Sequence, residues 1–219
     1  MNNQNIAQAF AILQESKKQW QDSTLENLEK NPFFILVGCI LSLRTKDQIT
    51  RQVSERLLKR IRSPQQLIAY SEDEIARLIY PVGFYRRKAK NLIDISRILI
   101  HKYKSQVPST LEDLLELPGV GRKTANLVLT VGFGKPGICV DTHVHRIVNR
   151  WGYIKTKTPE QTEMALRDIL PQEFWIPINS LLVLFGQNIC LPRRPHCENC
   201  PIEEYCDQVG IEKSEDKIH

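Results

Sequence analysis

The chain has 219 residues, 42% of them hydrophobic, a formal charge of +5 and a pI ≈ 8.9. That is enough apolar side chain for one large domain or two small ones, which excludes disorder outside the ends, and the mild basicity suits a polyanionic partner without demanding one. The longest apolar run, Phe33 to Leu43, stops at Arg44, short of the ~20 residues of a membrane span, and the start "MNNQNIAQAF" lacks a charged n-region and an apolar h-region, so an intracellular protein without disulfides is expected.

Taken in chain order, the apolar spacing is helical almost throughout. Ile6, Phe10 and Leu13 form one stripe, then Ile49, Val53, Leu57 and Leu58, then Leu92, Ile95 and Ile98. Helix starts are marked by the capping-box spacing at Ser23 with Glu26, Ser71 with Glu74, Ser109 with Glu112 and Thr158 with Gln161, the last followed by Pro159 at the first helical position. Alternating apolar and polar runs are nearly absent, so the expected fold class is all-α, about ten short helices, with Leu127 to Val131 the one stretch that also fits a strand. "GFGKPG", Gly132 to Gly137, is the clearest punctuation and marks a candidate domain seam.

Two stretches carry candidate chemistry. "ELPGVGRKTANLVL", Glu116 to Leu129, puts Gly119, Gly121, Lys123 and Thr124 in a pattern reminiscent of a phosphate-binding Walker A loop, but only one residue separates the two glycines where that motif needs four before its Gly-Lys pair, and a capped helix rather than a strand precedes it. Helix, Leu-Pro-Gly-Val-Gly, helix is instead a tight hairpin, in which the glycines permit positive φ and close backbone approach, and the amides opening the second helix can accept a phosphate without reading a base. A plain connection between packed helices is the competing account. Lys123 is a surface lysine, a further phosphate contact, or a nucleophile; for the last it must shed its proton, which from a usual pKa of ~10.4 costs roughly 4 kcal/mol at pH 7.5 unless the surroundings favour the neutral amine. Asp141 stands just before "THVHRIVNR", where capping that helix and a catalytic role are compatible.

The second stretch holds Cys190, Cys197, Cys200 and Cys206, spaced C-x6-C-x2-C-x5-C, four thiolates that suit a tetrahedral zinc or an iron–sulfur cluster. Cys39 and Cys139 sit singly in apolar runs and read as small buried hydrophobes. Between the first two clustered cysteines, "LPRRPH" would turn Arg193 and Arg194 outward as phosphate contacts, or as a merely solvated basic loop.

The hairpin with Lys123, the "VDTH" with Asp141 and the four cysteines, in that order and across nearly the whole chain, resemble endonuclease III, a helix-hairpin-helix DNA glycosylase/AP lyase family. The resemblance implies two α-helical domains with duplex DNA between them: a six-helix barrel at 25–135 containing the hairpin, a discontinuous four-helix domain at 1–24 and 136–212 holding a 4Fe-4S cluster on the four cysteines, and a tail at 213–219. It implies a monomer, with no membrane partner, at the cytoplasmic nucleoid of a bacterium or archaeon, acting on damaged double-stranded DNA with an oxidised pyrimidine flipped out of the stack. Lys123 matches the nucleophile that attacks C1′, and Asp141 the carboxylate that assists it. Gly119, Val120 and Gly121 match a phosphate-binding turn, Lys88 and Lys90 are expected to add phosphate contacts, and His143, which follows the "VDTH" match, is read as positioning or packing at the DNA-binding face. In "YPVGFYRRKAKN", Phe84 matches a bulky residue beside the extruded nucleotide, its competing account being an ordinary core aromatic. The chain departs from the family pattern at "LSLRTKD", where Arg44 replaces a glutamine that contacts the orphaned strand; Arg44 reaches either a guanine edge or a phosphate there. A non-catalytic metal-stabilised DNA-binding module is the competing function.

Overall fold

The computed structural model describes residues 1–20 and 31–211. Among the described residues it contains eleven α-helices and no strand. The chain divides into two compact units, one made of Met1–Asp22 with Val140–His219, the other of Ser23–Cys139. The seam expected at 135/136 thus lies four residues further on, because Gly137 and Cys139 still pack on the helix that follows the glycine hairpin: Gly137 abuts Asn126 and Thr130, and the Cys139 thiol donates to the Lys123 carbonyl at 3.6 Å.

The Ser23–Cys139 unit is built around α2 (Pro32–Ser42), whose residues from Phe33 to Leu41 are all buried. A helix apolar on every side is stable only when surrounded. It is surrounded by α3 (Asp47–Leu58), α6 (Tyr85–Lys102), α8 (Arg122–Leu127) and the π turn Val128–Gly132. Each large aliphatic side chain taken from water there contributes about 1.5–3 kcal/mol. Two short helices, α4 (Pro64–Ile68) and α5 (Glu72–Ile79), lie on α6, and α7 (Leu111–Leu115) leads into the hairpin. The stripes read from sequence are the buried faces: Val53, Leu57 and Leu58 on α3, Leu92 and Ile95 on α6.

Capping follows the sequence closely but not everywhere. Ser71 and Glu74 form the expected capping box of α5. Thr158 caps α10 (Pro159–Ile169), although Gln161 returns to the amide of Lys157 instead of that of the cap. α7 is capped by Thr110, not Ser109: Thr110 accepts from the Asp113 amide, while Ser109 receives the Lys135 ammonium on its hydroxyl and carbonyl. The Ser23–Glu26 spacing and the 213–219 tail lie outside the described residues. Leu127 to Val131 is helical, not a strand. Its first residue ends α8 and the rest form the π turn, with Thr130 Oγ1 donating to the Asn126 carbonyl at 2.9 Å.

The other unit joins α1 (Asn3–Ser16) to α9 (Thr142–Arg150), α10 and α11 (Pro177–Asn188). Ile6, Phe10 and Leu13 of α1 are buried, Phe10 against Phe174 at 4.5 Å, and Asn3 accepts the Tyr153 hydroxyl at 2.7 Å. Trp151 and Phe185, both fully buried, stand 6.3 Å apart in its core.

Candidate functional site

In the Ser23–Cys139 unit the hairpin between α7 and α8 brings Lys123 to the surface, on the second residue of α8. Gly119 has φ +80°, the left-handed region that favours glycine, and a Cβ there would push aside the end of the Asn91 side chain, whose Nδ2 would stand 2.4 Å away. Gly119→Ala is therefore expected to lower stability by about 1–2 kcal/mol, read as a depressed melting temperature. Gly121 differs from the expectation: its backbone is extended at φ −100° and nothing lies within 4 Å of where its Cβ would be, so conformation does not demand a glycine. The space in front of it is open, and α8 begins there without a side-chain cap, at the electropositive end of the helix. Val120 also departs from its expected place. Its side chain is buried and its amide donates to the Leu117 carbonyl at 3.1 Å, leaving Gly119 and Gly121 as the exposed members of the turn.

Beneath this turn Cys39 and Cys139 are buried, as read. Burial pushes the Cys39 thiol up to about 12 despite the opposing pull of the Lys123 charge, so it stays a protonated, inert thiol at neutral pH.

Arg44 and Phe84 are both exposed, Phe84 at 61%, which rules out the core-aromatic account. Both are left-handed, at φ +53° and +56°, and the Arg44 guanidinium lies over the Phe84 ring, 5.6 Å from its centre. Lys88 corrects the sequence reading. It is 4% exposed, and its ammonium donates to the Leu41 carbonyl at 2.8 Å, the Leu43 carbonyl at 2.5 Å and Thr45 Oγ1 at 2.9 Å, so its three protons face protein oxygens rather than a phosphate. Lys90, which is exposed, pairs with Asp94 at 2.6 Å.

In the other unit Asp141 is the N-cap of α9, its Oδ1 accepting from the amides of His143 at 2.8 Å and Val144 at 2.9 Å. His143 is half-buried with Nδ1 3.2 Å from Arg146 Nη2. Because asparagine caps as well as aspartate, Asp141→Asn is expected to leave stability within about 0.5 kcal/mol, whereas Asp141→Ala loses about 1 kcal/mol. Any catalytic role of the charge is thereby separable: excision that falls about 10²-fold or more in Asp141→Asn at unchanged melting temperature belongs to the carboxylate.

Two arginines that the sequence reading passed over organise the cysteine loop. From consecutive turns of α9, Arg146 donates to the Cys190 carbonyl at 2.8 Å, and Arg150 donates to the carbonyls of Leu191 at 2.6 Å and Pro192 at 2.8 Å. Their i, i+4 spacing on a strongly amphipathic helix was the available signal. The loop closes where the His196 amide meets the Ile189 carbonyl at 3.0 Å, and Arg193 and Arg194 are exposed at its tip.

The four thiols fit a metal group. Burial is the main cause that pushes Cys200 up to about 12 and Cys206 to about 11, and it raises Cys197 too; Cys190 adds to the rise at all three. Thiols this reluctant to ionise alone become good ligands only when metal charge replaces their protons. Polar donors already face the sulfurs: Arg150 Nη1 stands 3.5 Å from Cys190 Sγ, the Gln208 amide 3.4 Å from Cys206 Sγ, and the Ile202 amide donates to Cys200. Four thiolates in one loop suit either a tetrahedral zinc or an iron–sulfur cluster.

Comparison with known proteins places these residues in a family. The profile of the HhH-GPD superfamily base excision DNA repair proteins matches residues 37–172, and that of the iron-sulfur binding domain of endonuclease III matches residues 190–206. The chain is 50% identical over 179 residues to endonuclease III of Thermotoga maritima, covering 82% of this chain and 84% of that one. It is 49% identical over 183 residues to the chloroplastic endonuclease III homolog 2 of Arabidopsis thaliana, of which it spans 47%. Among solved structures, a trapped endonuclease III–DNA covalent intermediate superposes with TM-score 0.83 at 35% identity, covering 95% of this chain and 97% of that one. A thermostable thymine-DNA glycosylase also superposes with TM-score 0.83, at 25% identity, covering 93% of this chain and 95% of that one. No helix among the described residues is long and apolar enough to cross a membrane. Since Lys123, Asp141 and all four clustered cysteines fall inside the matched segments, the chain belongs to the endonuclease III family of the HhH-GPD superfamily, the base excision repair DNA glycosylases that carry a 4Fe-4S cluster.

Proposed function

We propose that this chain is a bifunctional DNA glycosylase and class I AP lyase that removes oxidised or ring-saturated pyrimidines, of the thymine glycol type, from duplex DNA. The observation that carries this reading is Lys123, exposed on the first turn of a helix that opens without a side-chain cap onto clear space. In this reading Gly119 and Gly121 take a phosphate beside the lesion, and Arg193 and Arg194 take others on the same backbone. Lys123 Nζ, neutral at the moment of attack, bonds to C1′ as the glycosidic bond breaks and the base departs with the electron pair. Opening of the sugar gives a Schiff base, and loss of a C2′ proton expels the 3′ phosphate by β-elimination, leaving a nicked strand. Asp141 accepts a proton and steadies positive charge on the sugar. Cys190, Cys197, Cys200 and Cys206 would hold the 4Fe-4S cluster, which would cross-link the loop so that the arginine-bearing tip keeps its shape.

The structure of a 35% identical endonuclease III trapped in covalent linkage to DNA supports the covalent route. The test is borohydride reduction on a thymine-glycol duplex, with the adduct mapped by mass spectrometry. An amine linkage at Lys123 is the expected result. Free base without adduct would make this a monofunctional glycosylase, and neither product would leave DNA binding alone.

A further inference from the structure

Lys88 is the one member of the Arg86, Arg87, Lys88 and Lys90 group that is buried. Burial pushes its ammonium down to about 8, a cost offset by three oxygen acceptors that lie 43 to 47 residues away in the chain. Those acceptors are the carbonyls of Leu41 and Leu43, at the C-terminal end of α2, and the hydroxyl of Thr45. They flank Arg44. On its own side Lys88 lies one helical turn after Phe84, its amide donating to the Phe84 carbonyl at 3.0 Å.

The same two turns meet again beside it. The Gly83 amide donates to Thr45 Oγ1 at 3.0 Å, so Thr45 is shared between Gly83 and Lys88. A Cβ on Gly83 would stand 2.5 Å from the Arg44 carbonyl, which shows how closely the backbones abut. Left-handed conformations on Arg44 and Phe84 persist only where surrounding contacts impose them. Lys88, Thr45 and Gly83 tie the two turns to each other, and the guanidinium lies over the ring in an exposed stack.

We propose that Lys88 is a positioning residue, a buried brace that locks the Arg44 turn to the Phe84 turn so that the two exposed side chains enter a lesion duplex as one rigid wedge. This rests on the reading of Arg44 and Phe84 as DNA-facing residues. It assigns Lys88 to base extrusion and gives it no share in backbone affinity.

The experiment uses the intact, iron-loaded protein and a thymine-glycol duplex with 2-aminopurine opposite the lesion, whose fluorescence rises on unstacking. Lys88→Met is compared with Lys88→Arg and with the Arg44→Ala/Phe84→Ala double variant. The double variant is expected to lose the fluorescence rise. Lys88→Met is expected to lose most of it and to excise about tenfold or more slowly. Its affinity for undamaged duplex and the salt dependence of that affinity should stay within about twofold of the parent, and Lys88→Arg should recover most of the rise and the rate. A Lys88→Met protein with unchanged fluorescence and excision, whatever its melting temperature, overturns the brace. So does a loss of undamaged-duplex affinity with a shallower salt dependence, the mark of a phosphate contact. If the double variant keeps the rise, the assignment of Arg44 and Phe84 fails first and the brace falls with it. Should Lys88→Met not fold, Thr45→Val, which removes the shared hydroxyl, is read by the same outcomes.

Discussion

Lys123→Gln is expected to lower excision of thymine glycol by about 10⁴-fold or more and to abolish the borohydride-trapped adduct, while affinity for the lesion duplex changes little. The size of the effect follows from removing the atom that forms a bond, where other substitutions only weaken a contact. The amide of glutamine has nearly the length of the lysine stem but no lone pair that can attack carbon, so the turn should keep its shape. Lys123 is exposed, and the Cys139 thiol donates to its backbone carbonyl, which the substitution keeps. Single-turnover kinetics separates the two roles in question: a phosphate contact would raise Kd with little change in rate, and a nucleophile would lose rate at constant Kd. Full turnover in Lys123→Gln would remove Lys123 from the chemistry.

Cys200→Ala is expected to yield a colourless protein without iron or labile sulfide, with the segment from Cys190 to Cys206 open to proteolysis and a stability loss on the order of 4–5 kcal/mol. This segment has little of its own to hold it. Its helical content is two three-residue 3-10 turns, Cys197–Asn199 and Glu203–Tyr205, and only Cys190 and Ile202 within it are buried. The arginine side chains of α9 grip its first residues, Cys190 to Pro192, and at its far end the Cys206 thiol donates to the Arg150 carbonyl at 3.7 Å. Four ligand bonds would add the cohesion that elsewhere comes from a hydrophobic core. The parent protein, purified anaerobically, is expected to be brown. A colourless parent containing zinc alone would overturn the cluster, and a Cys200→Ala protein with unchanged protease resistance would show that the loop is held by its contacts with α9.

Much of the helical framework was legible because its determinants are local. The Ser71 box, the Thr158 cap with Pro159 and the Asp141 cap each depend on atoms within three residues, so spacing alone found them. The miss at Ser109 has the same origin: two adjacent hydroxyls compete for one cap, and Thr110 has Asp113 three residues on, whose carboxylate also takes the Thr110 hydroxyl at 2.6 Å. Leu127 to Val131 was ambiguous because a short run of branched apolar residues suits any buried element. Burial against α2 and the Thr130 hydroxyl on the Asn126 carbonyl decide for a helical turn.

By itself the sequence determined the chemical inventory: an exposed-type lysine after a glycine turn, an aspartate before a helix, four cysteines in one loop, and the family they signal. Tertiary structure alone decided which members of that inventory face out. The periodicity of α6 places Lys88 four residues before Leu92, on the buried face, yet only the carbonyls of Leu41 and Leu43 and the hydroxyl of Thr45 make burial of its charge tolerable. Val120 gave its amide to the turn and its side chain to the core, while Gly119 beside it stayed exposed. The physical reason is common to both cases. Whether a polar group serves a ligand or the fold depends on the acceptors and apolar surface that distant segments bring to it, and those distances exist only once the chain has packed.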